Sequence, residues 1–183
     1  MVRNRLPKRE LFVGKIMKKK TILAVGAHAD DIEYYAGGTL LKMARDHQVF
    51  YVIATDGGLN GDRDLRKAEQ SRASLRVGVK KTFFLNYPDL GLEDRKKKLH
   101  RSLLKIILDL RPNLVFSFDP ENQFVPHADI HPDHRTISLV VSDLIFLYAC
   151  LPAYIQKIGF KEPPLRAKPG GSRNRRKWVH GSI

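Results

Sequence analysis

A single cysteine, Cys150, stands in the 183 residues. It excludes an internal disulfide and a thiolate cluster for a metal, and its apolar neighbours Ala149 and Leu151 make it a packed thiol without an assigned role. Long apolar runs are missing too. The most membrane-like stretch, "LVVSDLIFLYACLPAYI", is interrupted by Ser142, Asp143 and Pro152. It falls short of the roughly 20 apolar residues that a span requires, so a buried helix is expected there. The opening "MVRNRLPKRELFVGKIMKKK" lacks the apolar core of an export signal. The expected location is cytoplasmic, with Met17 a candidate natural start.

The middle of the chain lacks the charge imbalance of the whole. The formal net charge is +14, yet residues 1–20 hold eight Lys or Arg and one Glu, residues 156–183 hold the same numbers, and the stretch between holds seventeen residues of each sign. That distribution disfavours a nucleic-acid groove built into the fold and reads as basic extensions able to hold polyanions loosely. No specific nucleic-acid partner and no membrane span are expected, and homo-oligomer formation stays open. A hydrophobic content of 43% is enough for one domain with its own core.

Short runs rich in branched or aromatic residues, "TILAVGA" (21–27), "VFYVIAT" (49–55), "KTFFLN" (81–86) and "NLVFSF" (113–118), read as strands buried on both faces. Between them, residues 37–48, 64–78, 94–111 and 134–149 carry apolar side chains at helical spacing. This alternation predicts an α/β fold with right-handed crossovers and a mostly parallel sheet. In such sheets ligands gather at the carboxyl ends of the strands.

Polar residues cluster at all four predicted strand ends: His28, Asp30 and Asp31 after the first, "TDGGLNGD" after the second, "YPDLG" with Asp89 after the third, and "DPENQFVPHADIHPDHR" after the fourth. A phosphate loop fits the first poorly, because Gly37 and Gly38 follow the carboxylates instead of preceding them. Metal fits better. His28 and Asp31 are separated by two residues, as are His131 and His134, and two imidazoles with a carboxylate form a catalytic zinc set that keeps one position open. Either pair alone is weak evidence, since a lone Asp31 would also suit a helix cap.

"AHADDIEYYAGGT" and "HPDHR" resemble the two signatures of the LmbE or PIG-L-like N-acetylglucosaminyl deacetylases, close to (P/A)HPDDxExxxGG and HPDHR. The resemblance runs from about Lys18 to about Leu147 and includes "TDGG", "LRKAEQ" and "FLNYPDLGL" in order. Ala29 replaces the usual proline. The resemblance implies a Rossmann-like three-layer sandwich and a zinc-dependent N-deacetylase releasing acetate from an N-acetylated sugar, with other divalent ions able to occupy the same donors. It makes His28, Asp31 and His134 the metal ligands and Asp30 the base. His131 becomes the donor to the oxyanion, held in its charged form by Asp133. Arg66 becomes a substrate contact where a surface ion pair with Glu69 would otherwise be expected, and Asp89 a holder of sugar hydroxyls. His127 and Asp129 take rim or turn positions, Glu33 stands at a helix start, and Gly37 and Gly38 serve backbone packing and helix entry.

Three parts are therefore expected: a basic extension over 1–17, a deacetylase domain over 18–160 that is shorter than family members usually are, and a basic tail over 161–183. Pro163, Pro164, Pro169, Gly170 and Gly171 lead to the expectation that the tail is disordered and forms no strand. The competing functions are a shortened, inactive member of the family and a basic-tailed polyanion binder.

Overall fold

Alternate residues of the first strand, β1 (Thr21–Gly26), belong to two different cores. Leu23 and Val25 pack with Leu99, Leu103 and Ile107 of α3 (Lys96–Leu110) and with Ile137, Val141 and Leu144 of α4 (Pro132–Phe146). Ile22 and Ala24 join Ile32 and Leu40 of α1 (Asp31–Met43), with Val77 of α2 (Arg63–Val77) packed against that cluster. Strand β2 (Gln48–Thr55) alternates likewise, Val52 and Ala54 to one side, Val49, Tyr51 and Ile53 to the other. A period of two with both phases buried requires helices on both faces, so the layers are helix, sheet, helix. The computed structural model describes residues 18–121, 131–161, 163–165 and 178–180.

Strands β3 (Lys81–Tyr87), β4 (Leu114–Ser117) and β5 (Trp178–His180) complete an all-parallel sheet in the order β3-β2-β1-β4-β5. Ile22 of β1 lies opposite Val49 on one side and Leu114 on the other. Chain direction across the sheet reverses between β1 and β4, and the crevice outside their carboxyl ends is where such folds bind ligands.

The helix ends follow their residues. Asp62 accepts the N–H groups of Asp64 and Leu65 to cap α2, and Gly78 closes it in the left-handed conformation. His131 caps α4 ahead of Pro132. A short α5 (Pro152–Lys157) follows the 3-10 turn Tyr148–Cys150. The stretch expected to be a buried helix divides here, since Pro152 starts a new element. Among the described residues no helix is long and apolar enough to cross a membrane.

Two expectations are corrected. The first helix begins at Asp31, six residues before residue 37, so the site residues occupy its amino end and the glycine pair lies inside it. The tail does form a strand: Trp178–His180 pairs with β4 from Val115↔Trp178 to Ser117↔His180. A β-prone Trp-Val-His stretch offers backbone partners to an otherwise open sheet edge. Closer in, Leu165 is buried and donates its N–H to Ala149 O, while the Arg111 guanidinium donates to the carbonyls of Pro163 and Pro164. The remainder of the expected tail, like His127 and Asp129, lies outside the described residues.

Candidate functional site

Where β1 ends, the backbone turns so that one carboxylate closes the loop. Asp31 Oδ2 accepts the N–H groups of Ala27 (2.8 Å) and His28 (2.7 Å). Burial pushes the Asp31 carboxyl up, but the imidazoles of His134 and His28, and then the His28 N–H, outweigh it and hold it below the usual carboxylate range. Its other oxygen, Oδ1, stands 3.2 Å from His134 Nε2. His28 turns Nδ1 toward the same place, 3.1 Å from His134 Nε2 and 3.6 Å from Asp31 Oδ2.

Two imidazole nitrogens and a carboxylate thus face one point at mutual distances of 3.1 to 3.6 Å. Donors that share an ion at about 2.0–2.2 Å must lie roughly this far apart. Two ring nitrogens at 3.1 Å can share one proton or aim both lone pairs at a cation. The surroundings favour a cation, since Asp31, Asp89 and Asp133 all crowd His28. Burial pulls the His28 pKa down, but these carboxylates outweigh it and push it up to about 10. Two imidazoles and a carboxylate at these separations fit a divalent metal. A second group, His28, Asp89, His131 and Asp133, brings ligand atoms within 4.8 Å of one another, with His28 Nε2 3.0 Å from Asp89 Oδ1 and 3.6 Å from Asp133 Oδ2.

Asp30 is built differently from its neighbour. It sits in the left-handed region at φ 84°, costly for a residue with a Cβ though less so for Asp. Gln70, buried within α2, secures that conformation. Its Oε1 accepts the Asp30 N–H at 2.8 Å, while its Nε2 donates to Glu33 Oε1 and Ser74 Oγ. The Asp30 side chain opens to the cleft, where partial desolvation and then the charge of Asp31 raise its pKa; Arg66, 3.6 Å away, opposes them.

Arg66 also reaches Ala29 O at 3.4 Å. It passes against Gly57, whose φ of 64° disfavours a side chain and whose added Cβ would stand 3.0 Å from Arg66 Nε. The cleft, about 460 Å³, is lined by His28, Asp30, Asp31, Arg66, Asp89, His131 and His134, with Tyr34, Tyr35 and Gly57. Every residue singled out from the sequence as ligand, base or substrate contact is there.

Asp133 and Asp89 both stand against His28. Asp133 is 1% exposed, and its carboxylate accepts the N–H groups of Leu90 (2.8 Å) and Leu92 (3.1 Å), with Oδ2 3.6 Å from His28 Nε2. It ties the loop after β3 to the start of α4 and backs His28. Desolvation, then the charges of His28 and His134, lower the His131 pKa, with Asp133 and Asp89 opposing. Asp89 Oδ1 lies 3.0 Å from His28 Nε2, an orienting partner of the kind that fixes a metal-ligand imidazole. Its carboxylate is turned to the imidazole at the back of the cleft.

His131 Nδ1 accepts the Asp133 N–H at 3.2 Å. In a neutral ring that leaves the proton on Nε2, which stands 3.8 Å from Asp89 Oδ1 in a residue lining the cleft. Phe118, just past β4, stacks on His134 with centroids 4.0 Å apart.

The family profile described as "PIG-L: GlcNAc-PI de-N-acetylase" matches residues 23–145. The chain belongs to this family. Within the PIG-L family it is 32% identical over 123 residues to the uncharacterized deacetylase YaiS of Escherichia coli K12, covering 66% of this chain and 65% of that protein. It is 28% identical over 141 residues to a probable N-acetyl-alpha-D-glucosaminyl L-malate deacetylase 2 of Bacillus anthracis, covering 69% and 60%. The crystal structure of the N,N'-diacetylchitobiose deacetylase of Pyrococcus horikoshii superposes with a TM-score of 0.69 at 28% identity, over 82% of this chain and 58% of that one. The chain thus spans less than two thirds of the length of these relatives. The matched segment contains every residue of the PIG-L site described above, from His28 to His134.

Sequence reasoning missed Gln70, Tyr34, Tyr35 and Phe118. Gln70 lies within "LRKAEQ", and a glutamine on a helix one turn from Arg66 was the available signal. The aromatic residues carried no signal beyond apolar character, because a ring in an apolar run reads as core.

Proposed function

We propose that this chain is a zinc-dependent N-deacetylase acting on an N-acetylated amino sugar or its glycoconjugate, giving a free amine and acetate. The observation that carries this reading is the convergence of His28 Nδ1, Asp31 and His134 Nε2 on one point beside a carboxylate, Asp30, that is directed into the cleft. Two imidazoles and one carboxylate match the open three-ligand sets of catalytic zinc. Family membership supports the reaction class.

A divalent ion held by these three side chains would polarise the acetamide carbonyl and make a water acidic enough to ionise near neutral pH. Asp31 is suited to holding the cation, because its hydrogen bonds keep it ionised and leave it a poor proton acceptor. Asp30 is suited to the base, with an exposed carboxylate that lines the cleft and a raised pKa. It takes one proton as the water oxygen bonds to the carbonyl carbon. His131 donates from Nε2 to the oxyanion that develops. The C–N bond then breaks, Asp30 returns its proton to the departing nitrogen, and the acetic acid formed gives up its remaining proton to solvent to leave as acetate. Arg66, beside Asp30 at the cleft wall, is placed to hold sugar hydroxyls.

The test is acetate and free-amine release across a panel of N-acetylglucosamine, N,N'-diacetylchitobiose and a GlcNAc glycoside of malate, with the protein loaded with zinc. Stoichiometric acetate and amine from at least one of them, abolished by a chelator and restored by zinc, is the expected result. Tight binding of zinc with no release from any sugar contradicts the proposal.

A further inference from the structure

A row of aromatic rings leads from the floor of the cleft to its rim. Phe118 lies flat on His134, their planes 15° apart. Tyr35 meets Phe118 edge-on at 5.4 Å, and Tyr34 meets Tyr35 edge-on at 5.0 Å. Each ring fixes the orientation of the next. The inner ones are packed, whereas Tyr34 is 76% exposed while lining the cleft. An exposed aromatic ring that lines a cleft and meets one neighbour edge-on is a surface available for contact.

The glycine pair has the same consequence. Gly37 and Gly38 were expected to serve packing and helix entry, yet both lie inside α1, where glycine is unfavourable relative to alanine. Among the described residues a Cβ at Gly38 would meet nothing within 4 Å, and one at Gly37 would meet only Glu33 Cβ at 3.7 Å. Packing does not demand glycine at either position. They stand three and four residues beyond Tyr34, and helical side chains lie back over the preceding turn. Larger residues there would cover the Tyr34 ring.

We infer that the open face of Tyr34, kept clear by Gly37 and Gly38, is a stacking platform for a second sugar ring, the one joined to the acetylated ring at the floor. The inference rests on the deacetylase reading for what occupies the floor. The chemistry at the rim selects a sugar. A pyranose offers C–H groups on its face, attracted to the negative face of an aromatic ring, and hydroxyls at its edge for Asp30 and Arg66, which line the same cleft. An acyl chain would need continuous apolar surface, which those two charged residues interrupt.

The experiment compares kcat/KM for acetate release from N,N'-diacetylchitobiose and from N-acetylglucosamine, using the full zinc-loaded chain. Tyr34→Ala is expected to lower the disaccharide-to-monosaccharide ratio roughly 3- to 10-fold, acting on KM, and Tyr34→Phe to preserve it. Gly38→Gln should lower the same ratio while raising the thermal midpoint, which separates coverage of the platform from damage to the fold. Equal loss on both sugars, or no loss on either, in Tyr34→Ala overturns the platform. Calorimetric titration of the disaccharide into Asp30→Asn and into Asp30→Asn/Tyr34→Ala separates this from the reaction itself. Binding that weakens with Tyr34 while the unaltered chain releases no acetate sustains the platform and rejects the deacetylase reading; binding indifferent to Tyr34 rejects the platform.

Discussion

Asp30 and Asp31 are adjacent in the chain and opposite in almost every physical respect. Asp31 belongs to the floor of the cleft: it is buried, accepts two backbone N–H groups and lies beside two imidazoles. Asp30 belongs to the rim: it has left-handed backbone, no cap bond from its side chain, and a carboxyl directed into the cleft. One carboxyl is held well below the ordinary range and the other is raised. The lesson is that environment divides the labour of two identical side chains. The floor is over-determined by hydrogen bonds and suits fixed work such as holding an ion, while the rim keeps its groups free to move a proton or meet a substrate.

The largest break in this contrast is expected at the floor. Asp31→Ala removes a proposed ligand and leaves the N–H groups of Ala27 and His28 without their acceptor. Zinc affinity should fall by more than about 100-fold, since loss of even an outer partner costs 10- to 100-fold. Unfolding should become easier by about 1–3 kcal/mol. Equilibrium dialysis and denaturant titration measure the two effects.

At the rim the same class of change should separate from binding. Asp30→Asn is expected to retain zinc and to lower kcat by about 100- to 10,000-fold, because the amide accepts no proton. Zinc content by elemental analysis alongside acetate release checks this. An Asn variant that loses the metal would merge the two roles that the proposal separates.

Gln70 joins the regions, so its effect should be intermediate. Gln70→Leu keeps the volume and removes the acceptor of the Asp30 N–H together with the donor to Glu33 and Ser74. A kcat loss of about 10-fold with zinc retained is expected, because misplacement by a fraction of an ångström weakens catalysis without moving ligands. Unchanged turnover would mean that the left-handed turn holds itself.

The smallest effect lies far from the cleft. His100 stands edge-on to Tyr148 and Tyr154, and its Nε2 is buried without a partner among the described residues. Burial lowers its pKa, with Asp143 opposing. The unfolded chain then binds this proton more readily, so the contribution to stability is full above the ordinary value of 6.5 and is lost as pH falls below it. His100→Phe should narrow the difference between thermal midpoints at about pH 7.5 and about pH 5 relative to the unaltered chain. A difference that stays the same or widens would exclude His100 as a source of acid sensitivity.

The strands were legible because residues such as Leu23 and Val25 report burial directly, and β1 to β4 fall within a residue or so of their expected places. The start of α1 was not, since the apolar spacing becomes regular only past the glycines, while Asp31 begins the helix through backbone contacts that no periodicity encodes. The ligand pairs were visible as spacings. The positions of Asp89 and Asp133 were not, because each depends on a loop from one crossover meeting a helix from another. Tyr34 and Phe118 escaped for the same reason. The strand at Trp178–His180 was hidden by its basic, proline-rich approach, although three residues sufficed to pair with β4.

The central claim is that the floor holds the metal on the Nδ1 side of His28. Anomalous diffraction from a crystal grown with zinc tests it most directly. The account predicts one strong peak about 2.0–2.2 Å from His28 Nδ1, an Asp31 carboxylate oxygen and His134 Nε2, with Asp30 outside the coordination shell. A peak on the opposite side of the ring, ligated through His28 Nε2 by Asp89, Asp133 and His131, would contradict it.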